Sequence, residues 1–258
     1  MELKIVSFNI RYTDDPNGHS IAERAPRIKD TVLSKDPDLI GFQECRPKWW
    51  PYIRDTFLDK YDIFNIYRAF DEMESSPILW KKDKFELVDK GHFWFSDTPD
   101  VSSKGWDKTG CYRMCLWVNL KEKSTGEIVT YFNTHFGFGD KCQVDSAELM
   151  HKVNLEVSSY PTLLTADYNM CRENLGFKTM EKYYKDVNKA TLNYTSYTYH
   201  GHDEERAKIA LEKHGYGPID HCFINDKFEP KKYEVLTNTY DGKYASDHFC
   251  TYIELETK

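Results

Sequence analysis

The sequence predicts an α/β (α+β) fold of antiparallel or mixed β-sheets covered by helices. Strand-like segments follow one another in long runs with amphipathic helices interspersed, which argues against a strict βαβ barrel. No Gly-, Pro- or Ser-rich stretch resembles a linker, no period repeats, and no low-complexity tract breaks the alternation of apolar and polar segments. Residues 1–258 therefore read as a single domain, long enough to bury a sizeable core.

Residues 3–10 form the first strand, where Leu3, Ile5, Val6, Phe8 and Ile10 make a compact apolar run that delivers Asn9 to its C-terminal end. Ala22 to Leu33 carries Ala25, Ile28, Val32 and Leu33 at helical spacing, and Asp36-Pro37 stops it. Residues 39–42 resume the sheet and deliver Gln43-Glu44. A short helix near 47–58 precedes strands around 61–66, 77–81, 85–95, 112–120 and 128–134. A longer amphipathic helix fits 144–158, with Val144, Ala147, Leu149, Met150, Val153 and Val157 available to the core. Residues 162–165 form the next strand and deliver Asp167 and Asn169. Glu173 to Tyr184 reads as helical, Asp203-Glu204-Glu205-Arg206 as a solvated helix start, and residues 219–225, 232–237 and 249–255 as strands.

Aromatic residues make up 15% of the chain, with 18 Tyr and 6 Trp, which suits both a thick core and a pocket for flat or sugar-like ligands. A formal charge of −7 repels polyanions and offers no broad basic footprint for nucleic acid, so an anionic partner is expected to be small or metal-bridged. Seven cysteines without a C-x-x-C pair argue against a zinc ribbon and a complete disulfide framework. The first residues show no signal-peptide pattern, and no apolar run has the length of a membrane span. A cytoplasmic protein without membrane insertion is expected; the sequence carries no sign of oligomeric state.

Polar residues recur where apolar strands end: Asn9, Glu44, His135, Asp167, Asn169, Asp220, Asp247 and His248. Singly, each reads as a turn residue or N-cap. Together they point to a shared sheet edge. The ordered set Ser7-Phe8-Asn9-Ile10-Arg11, Gln43-Glu44, Asn133-Thr134-His135, Ala166-Asp167-Tyr168-Asn169, Ile219-Asp220-His221 and Ser246-Asp247-His248 resembles the endonuclease/exonuclease/phosphatase family, magnesium-dependent phosphoesterases, from end to end of the chain. A closer resemblance, to a bacterial subfamily of undefined substrate, rests on Glu74-Ser75-Ser76-Pro77-Ile78, Phe93-Trp94-Phe95-Ser96 leading to Gly105-Trp106-Asp107, Arg113, and Thr198-Tyr199-His200-Gly201. The resemblance implies a four-layer sandwich: two mixed, largely antiparallel sheets packed face to face, with helices on the outer faces. Three positions depart from the family pattern, Ala166 and Tyr168 where it writes Gly and Phe, and Cys250 where it writes Pro. Tyr168 is expected to keep its ring inward, with a hydroxyl in need of a partner.

Phosphoester hydrolysis needs charge neutralised on the phosphoryl oxygens, a water aimed in line, and help for the leaving oxygen. Glu44 is the first candidate ligand for Mg²⁺ or Mn²⁺, because hard cations prefer carboxylate oxygens, and Asn9 and Asp247 complete or support that coordination. Asp167 would orient or deprotonate the attacking water, and Asn169 would hold a phosphoryl oxygen. His248, buttressed by Asp220, would act as general base or, as imidazolium, stabilise phosphoryl charge. His135 does the complementary job from the opposite side, and the resemblance implies Glu74 as its partner. Arg113 is a candidate phosphate clamp, Trp106 a pocket aromatic and His200 a substrate contact, whereas Trp94 suits the core. His200, His202, His214 and His221 lack the paired spacing of a zinc site.

These features imply a metal-dependent phosphoesterase acting on a monoester or compact diester of a small molecule: a sugar, nucleotide or lipid head group. A magnesium-dependent nuclease is the alternative, disfavoured by acidity and the lack of a Lys/Arg cluster. A catalytically silent binding module is a third reading, under which Asp167→Asn and His248→Ala would change nothing measurable.

Overall fold

The computed structural model describes residues 1–191, 197–214 and 217–258. Twelve strands form two six-stranded sheets. The first contains β1 (Glu2–Asn9), β2 (Leu39–Gln43), β3 (Tyr61–Phe64), β4 (Ile78–Lys81), β11 (Phe228–Leu236) and β12 (Cys250–Thr257), in the order β11-β12-β1-β2-β4-β3. The second contains β5 (Phe85–Trp94), β6 (Met114–Glu122), β7 (Ile128–His135), β8 (Thr162–Asp167), β9 (Lys185–Asp186) and β10 (Asp220–Ile224), in the order β5-β6-β7-β8-β10-β9. Pairing is antiparallel except for β1 with β2 and β7 with β8. Each parallel pair needs a crossover, made by α1 (Ile21–Leu33) in the first sheet and α3 (Asp140–Val157) in the second. The remaining helices are α2 (Trp50–Phe57), α4 (Leu175–Met180), α5 (Val187–Ala190) and α6 (Glu204–His214).

Period-2 alternation sorts each strand between two cores. Leu3 and Ile5 of β1, Leu39 of β2, Val129 and Tyr131 of β7, Leu163 of β8 and Ile224 of β10 point into a layer between the sheets. Their neighbours point outward: Val6, Phe8, Ile40 and Phe42 meet Ala25, Ile28, Ile53 and Phe57 of α1 and α2. On the other side Phe132, Leu164 and Phe223 meet Ala147, Met150, Phe177 and Met180 of α3 and α4. The result is the expected four-layer sandwich.

Along the inner faces the side chains change character toward one end of the layer. β1 reads Leu3, Ile5, Ser7, Asn9; β7 reads Val129, Tyr131, Asn133, His135; β8 reads Leu163, Thr165, Asp167. The middle of this gradient is a polar network. Gln43 Nε2 donates to Ser7 Oγ (3.1 Å) and Asn133 Oδ1 (2.8 Å), and Asn133 Nδ2 is bonded to the Phe42 carbonyl (2.8 Å). Thr165 joins it to Tyr131. Gly41 leaves the room, since a Cβ there would stand 2.3 Å from Tyr131 Oη and 2.5 Å from Asn133 Oδ1.

Some boundaries differ from expectation. α3 begins at Asp140 and buries Gln143 and Asn154 beside Ala147 and Met150, because both amides find partners: Asn169 O (2.8 Å) and Thr162 Oγ1 (3.2 Å). Val144, Leu149, Val153 and Val157 lie on its half-buried flanks. α4 is shorter than the helix read over 173–184. β11 starts four residues earlier than expected, running through Pro230 with a register shift before Lys232, which an edge strand tolerates. The short β9 and α5 are additions. No helix among the described residues is long and apolar enough to cross a membrane, and all seven cysteines are free.

Candidate active site

The polar end of the inter-sheet layer opens into a cleft of ≈ 790 Å³. Parallel pairing brings the C-terminal ends of β1 with β2, and of β7 with β8, to this edge, and antiparallel pairing brings the start of β10 and the segment before β12 to it. Just beyond these ends, Arg11, Glu44 and Asn169 adopt left-handed backbone conformations (φ 60°, 61° and 50°), which non-glycine residues adopt where surrounding structure enforces them.

Asn9 is buried and bridges two carboxylates, its Nδ2 donating to Asp167 Oδ2 (2.9 Å) and Glu44 Oε1 (3.2 Å) while its Oδ1 accepts from the Arg11 amide (3.0 Å). Glu44 Oε2 accepts from the Tyr12 amide (2.8 Å). Burial raises the Glu44 carboxyl above the ordinary range, and the charges of Glu74 and Asp247 add to the rise against the opposing pull of His135. Ser246 Oγ lies 2.7 Å from the Asn9 carbonyl and 3.2 Å from Asp247 Oδ1, which ties the Ser246-Asp247-His248 segment to the end of β1.

Asp167 lies between two imidazoles, with Oδ2 3.4 Å from His135 Nε2 and 3.6 Å from His248 Nε2. Burial pushes its carboxyl up, but the two imidazoles and the hydrogen bonds from Asn9 and the Asn169 amide outweigh burial and hold it below the ordinary range. His248 Nδ1 is bonded to Asp220 Oδ2 (2.9 Å). Burial alone would lower the His248 pKa; the carboxylates of Asp220, Asp167 and Asp247 overcome it and raise the imidazole to about 10. Asn169 Nδ2 is shared between the Phe136 carbonyl and His135 Nε2, both at 2.9 Å. Nε2 of His135 thus meets the Asn169 amide, and Nδ1 faces Glu74 Oε1 at 3.6 Å. Glu74 also meets Arg68 (2.8 Å) and Arg46 (3.5 Å); burial opposes its ionisation, but His135, Arg68 and Arg113 lower its carboxyl to about 2.

Ten of the twelve candidate residues thus meet in one region. Arg113 lines the cleft, with Nε held by Asp107 Oδ2 at 2.6 Å. Trp106 and His200 lie elsewhere. The Trp106 indole donates to Asp97 (3.1 Å) and packs against the core beneath α3 and α4, so it does not line the cleft. His200 is buried between Tyr244 and Phe249, with ring centroids 4.3 Å from each, and lines a neighbouring cavity. Trp94 is in the core. The cleft also contains Arg11, Arg46, Arg68 and Tyr199, to which sequence reasoning gave no role. Arg11 and Tyr199 stood inside quoted motifs, whereas Arg46 and Arg68 carry no signal beyond their nearness in sequence to Glu44 and Glu74. The Tyr168 ring is inward as expected, against Phe136 and Phe223, but its hydroxyl is fully buried and finds no partner among the described residues.

The donor set fits a hard divalent cation. Glu44 has no ion pair among the described residues, its carboxyl is raised by burial and like charge, and the carboxylates of Asp167 and Asp247 line the same cleft. Asp167, Asp220 and His248 also offer ligand atoms within 4.8 Å of one another. In that group Asp220 and His248 already satisfy each other directly, so it is arranged as a hydrogen-bonded relay rather than as a cage.

No family model matches the chain. A crystal structure of an endonuclease/exonuclease/phosphatase family protein from Bacteroides thetaiotaomicron is 30% identical and covers 100% of this chain and 98% of its own, with a TM-score of 0.87. The mannosyl-6-phosphatase of the same species is 30% identical over 98% of this chain and 99% of its own, with a TM-score of 0.83. An uncharacterised protein of Acanthamoeba polyphaga mimivirus is 25% identical over 98% of this chain and 100% of its own length. With this fold and this site, the protein is a phosphoester hydrolase. It belongs to the endonuclease/exonuclease/phosphatase family.

Proposed function

We propose that the protein is a magnesium- or manganese-dependent hydrolase of small phosphate esters, monoesters or compact diesters, with phosphorylated sugars the first substrate class to test. The observation that carries this reading is the meeting of Asn9, Glu44, His135, Asp167 and the Asp220–His248 pair at one end of the inter-sheet layer. A cleft of ≈ 790 Å³ is sized for a small ligand, and a mannosyl-6-phosphatase shares its fold along nearly the whole chain.

Glu44 and Asp247 would hold the cation, supported by Asn9, whose amide is already committed to the two carboxylates beside it. The bound ion would supply charge neutralisation at the phosphoryl oxygens. Asp167, kept ionised, takes the proton of the attacking water. His248, held as imidazolium by Asp220, stabilises the charge that develops on phosphoryl oxygen; this favours its cationic role over that of a general base. His135 approaches from the other side, oriented by Asn169 and Glu74, and Asn169 turns an amide hydrogen to a phosphoryl oxygen when substrate displaces its contact with His135.

A nuclease reading gains little support from the cleft. Of its five cationic lining residues, Arg11, Arg46, Arg68, Lys108 and Arg113, the four arginines are ion-paired with carboxylates, so no free basic track follows the opening. The test is a panel of hexose phosphates, nucleotides, cyclic nucleotides and lipid head groups beside plasmid, single-stranded DNA and RNA, with Mg²⁺ or Mn²⁺ and with chelator, for wild type and Asp167→Asn. Metal-dependent turnover of a small ester that Asp167→Asn abolishes is expected. Rapid cutting of nucleic acid at micromolar enzyme or below, with no small ester turned over, would sink the reading.

A further inference from the structure

A second cavity, of ≈ 360 Å³, adjoins the catalytic cleft and shares Cys171, Tyr199 and Ile219 with it. Tyr197, His200 and, from α6, Ala207 and Ala210 line more of it. The two spaces differ in chemistry: the cleft is walled by carboxylates, whereas the second cavity has none among its described lining residues, and Arg206 is its one cation. A sugar ring would leave several hydroxyls unpaired there, while a flat apolar ring meets aromatic faces and small alanines.

A further observation orients such a group. Tyr199 stands between the reacting centre and the cavity, with its ring centroid 4.9 Å from that of His248 and half of its surface exposed (50%).

From this continuity with the cleft, we propose that the side cavity receives an aromatic ring carried by the leaving alcohol of the substrate, packed on Tyr199. The inference rests on the phosphohydrolase reading and narrows its substrate class to esters bearing an aryl group.

The experiment compares 2-naphthyl phosphate with a hexose 6-phosphate in wild type and in Ala210→Trp, which fills the cavity. The ratio of kcat/KM for the naphthyl ester to that for the hexose ester is expected to fall by at least about tenfold in the variant, through KM. With wild type alone, 2-naphthylmethylphosphonate should inhibit hexose 6-phosphate hydrolysis at an at least about tenfold lower concentration than methylphosphonate; this comparison decides the matter if Ala210→Trp does not fold. An unchanged ratio, or equal inhibition by the two phosphonates, overturns the cavity's assignment and leaves the phosphohydrolase reading standing. If wild type hydrolyses no phosphate ester in any metal, both fall.

Discussion

Asp167 Oδ2 faces nitrogen atoms from three strand ends, Asn9, His135 and His248, so one carboxylate oxygen gathers the proton-transfer groups of the site. Replacing Asp167 by Asn keeps the shape and removes the base, and kcat is expected to fall by about 10²–10⁴ with far-ultraviolet circular dichroism unchanged. His248 makes a pH prediction. Its folded pKa of about 10 lies above the ordinary 6.5, so its stabilising contribution is complete below pH 6.5 and is lost as pH rises toward 10. In chelator, the unfolding free energy of wild type relative to His248→Gln should therefore shrink across that window; a constant difference contradicts it. Tyr168 shows the reverse of a functional residue: removing its unpaired buried hydroxyl as Tyr168→Phe should raise stability, by about 1–3 kcal/mol in denaturant titration, with kcat untouched. At this scale the legible residues were those ending an apolar alternation, which marks Asn9, Glu44, His135 and Asp167 without any structure. Arg46 and Arg68 were illegible because an arginine's role depends on the carboxylate it meets. Trp106 misled for a similar reason, since a loop tryptophan beside glycine does not announce that Asp97 will accept a hydrogen bond from its indole N–H.

Elements were legible where one period dominates. β1, β2 and α1 alternate or repeat cleanly, and α1 starts on a capping box in which Ser20 and Glu23 satisfy each other's backbone. The buried stripe of α3 was obscured because Gln143 and Asn154 look solvent-facing until the Asn169 carbonyl and Thr162 hydroxyl are placed. The same dependence on distant partners governs the segment between β1 and α1. Buried Arg24 donates to the carbonyls of His19 (2.8 Å), Ile10, Arg11 (3.2 Å) and Thr13 (2.6 Å), fixing the loop whose Tyr12 amide holds Glu44. Arg24→Met strands these carbonyls and should lower stability by about 3–5 kcal/mol while weakening Mn²⁺ binding, measured by chemical denaturation and titration calorimetry. If the variant keeps wild-type Mn²⁺ affinity, Arg24 does not support the metal-facing loop.

For the whole molecule, the inward faces of both sheets grade from apolar through amide and hydroxyl to charged side chains, so the groups that function together are also the ones least suited to being together in the empty protein. Glu44 carries that conflict most clearly. A carboxyl raised in the folded state destabilises the fold as pH climbs past its unfolded value, so at neutral pH ionised Glu44 works against folding. A cation bound there reverses the sign. At free metal near 100 times its dissociation constant the added stability is about 2.7 kcal/mol, a rise of roughly 5–10 °C in Tm for a domain of this size. Glu44→Gln should therefore have opposite effects in two conditions: a higher Tm than wild type in chelator, because an ionised group has gone, and little or no rise on adding Mg²⁺ or Mn²⁺. Differential scanning calorimetry of both proteins, with and without metal, reads the two effects separately. A variant less stable than wild type in chelator would show that Glu44 serves the fold, and an undiminished metal-induced rise would move the cation to other ligands of the cleft.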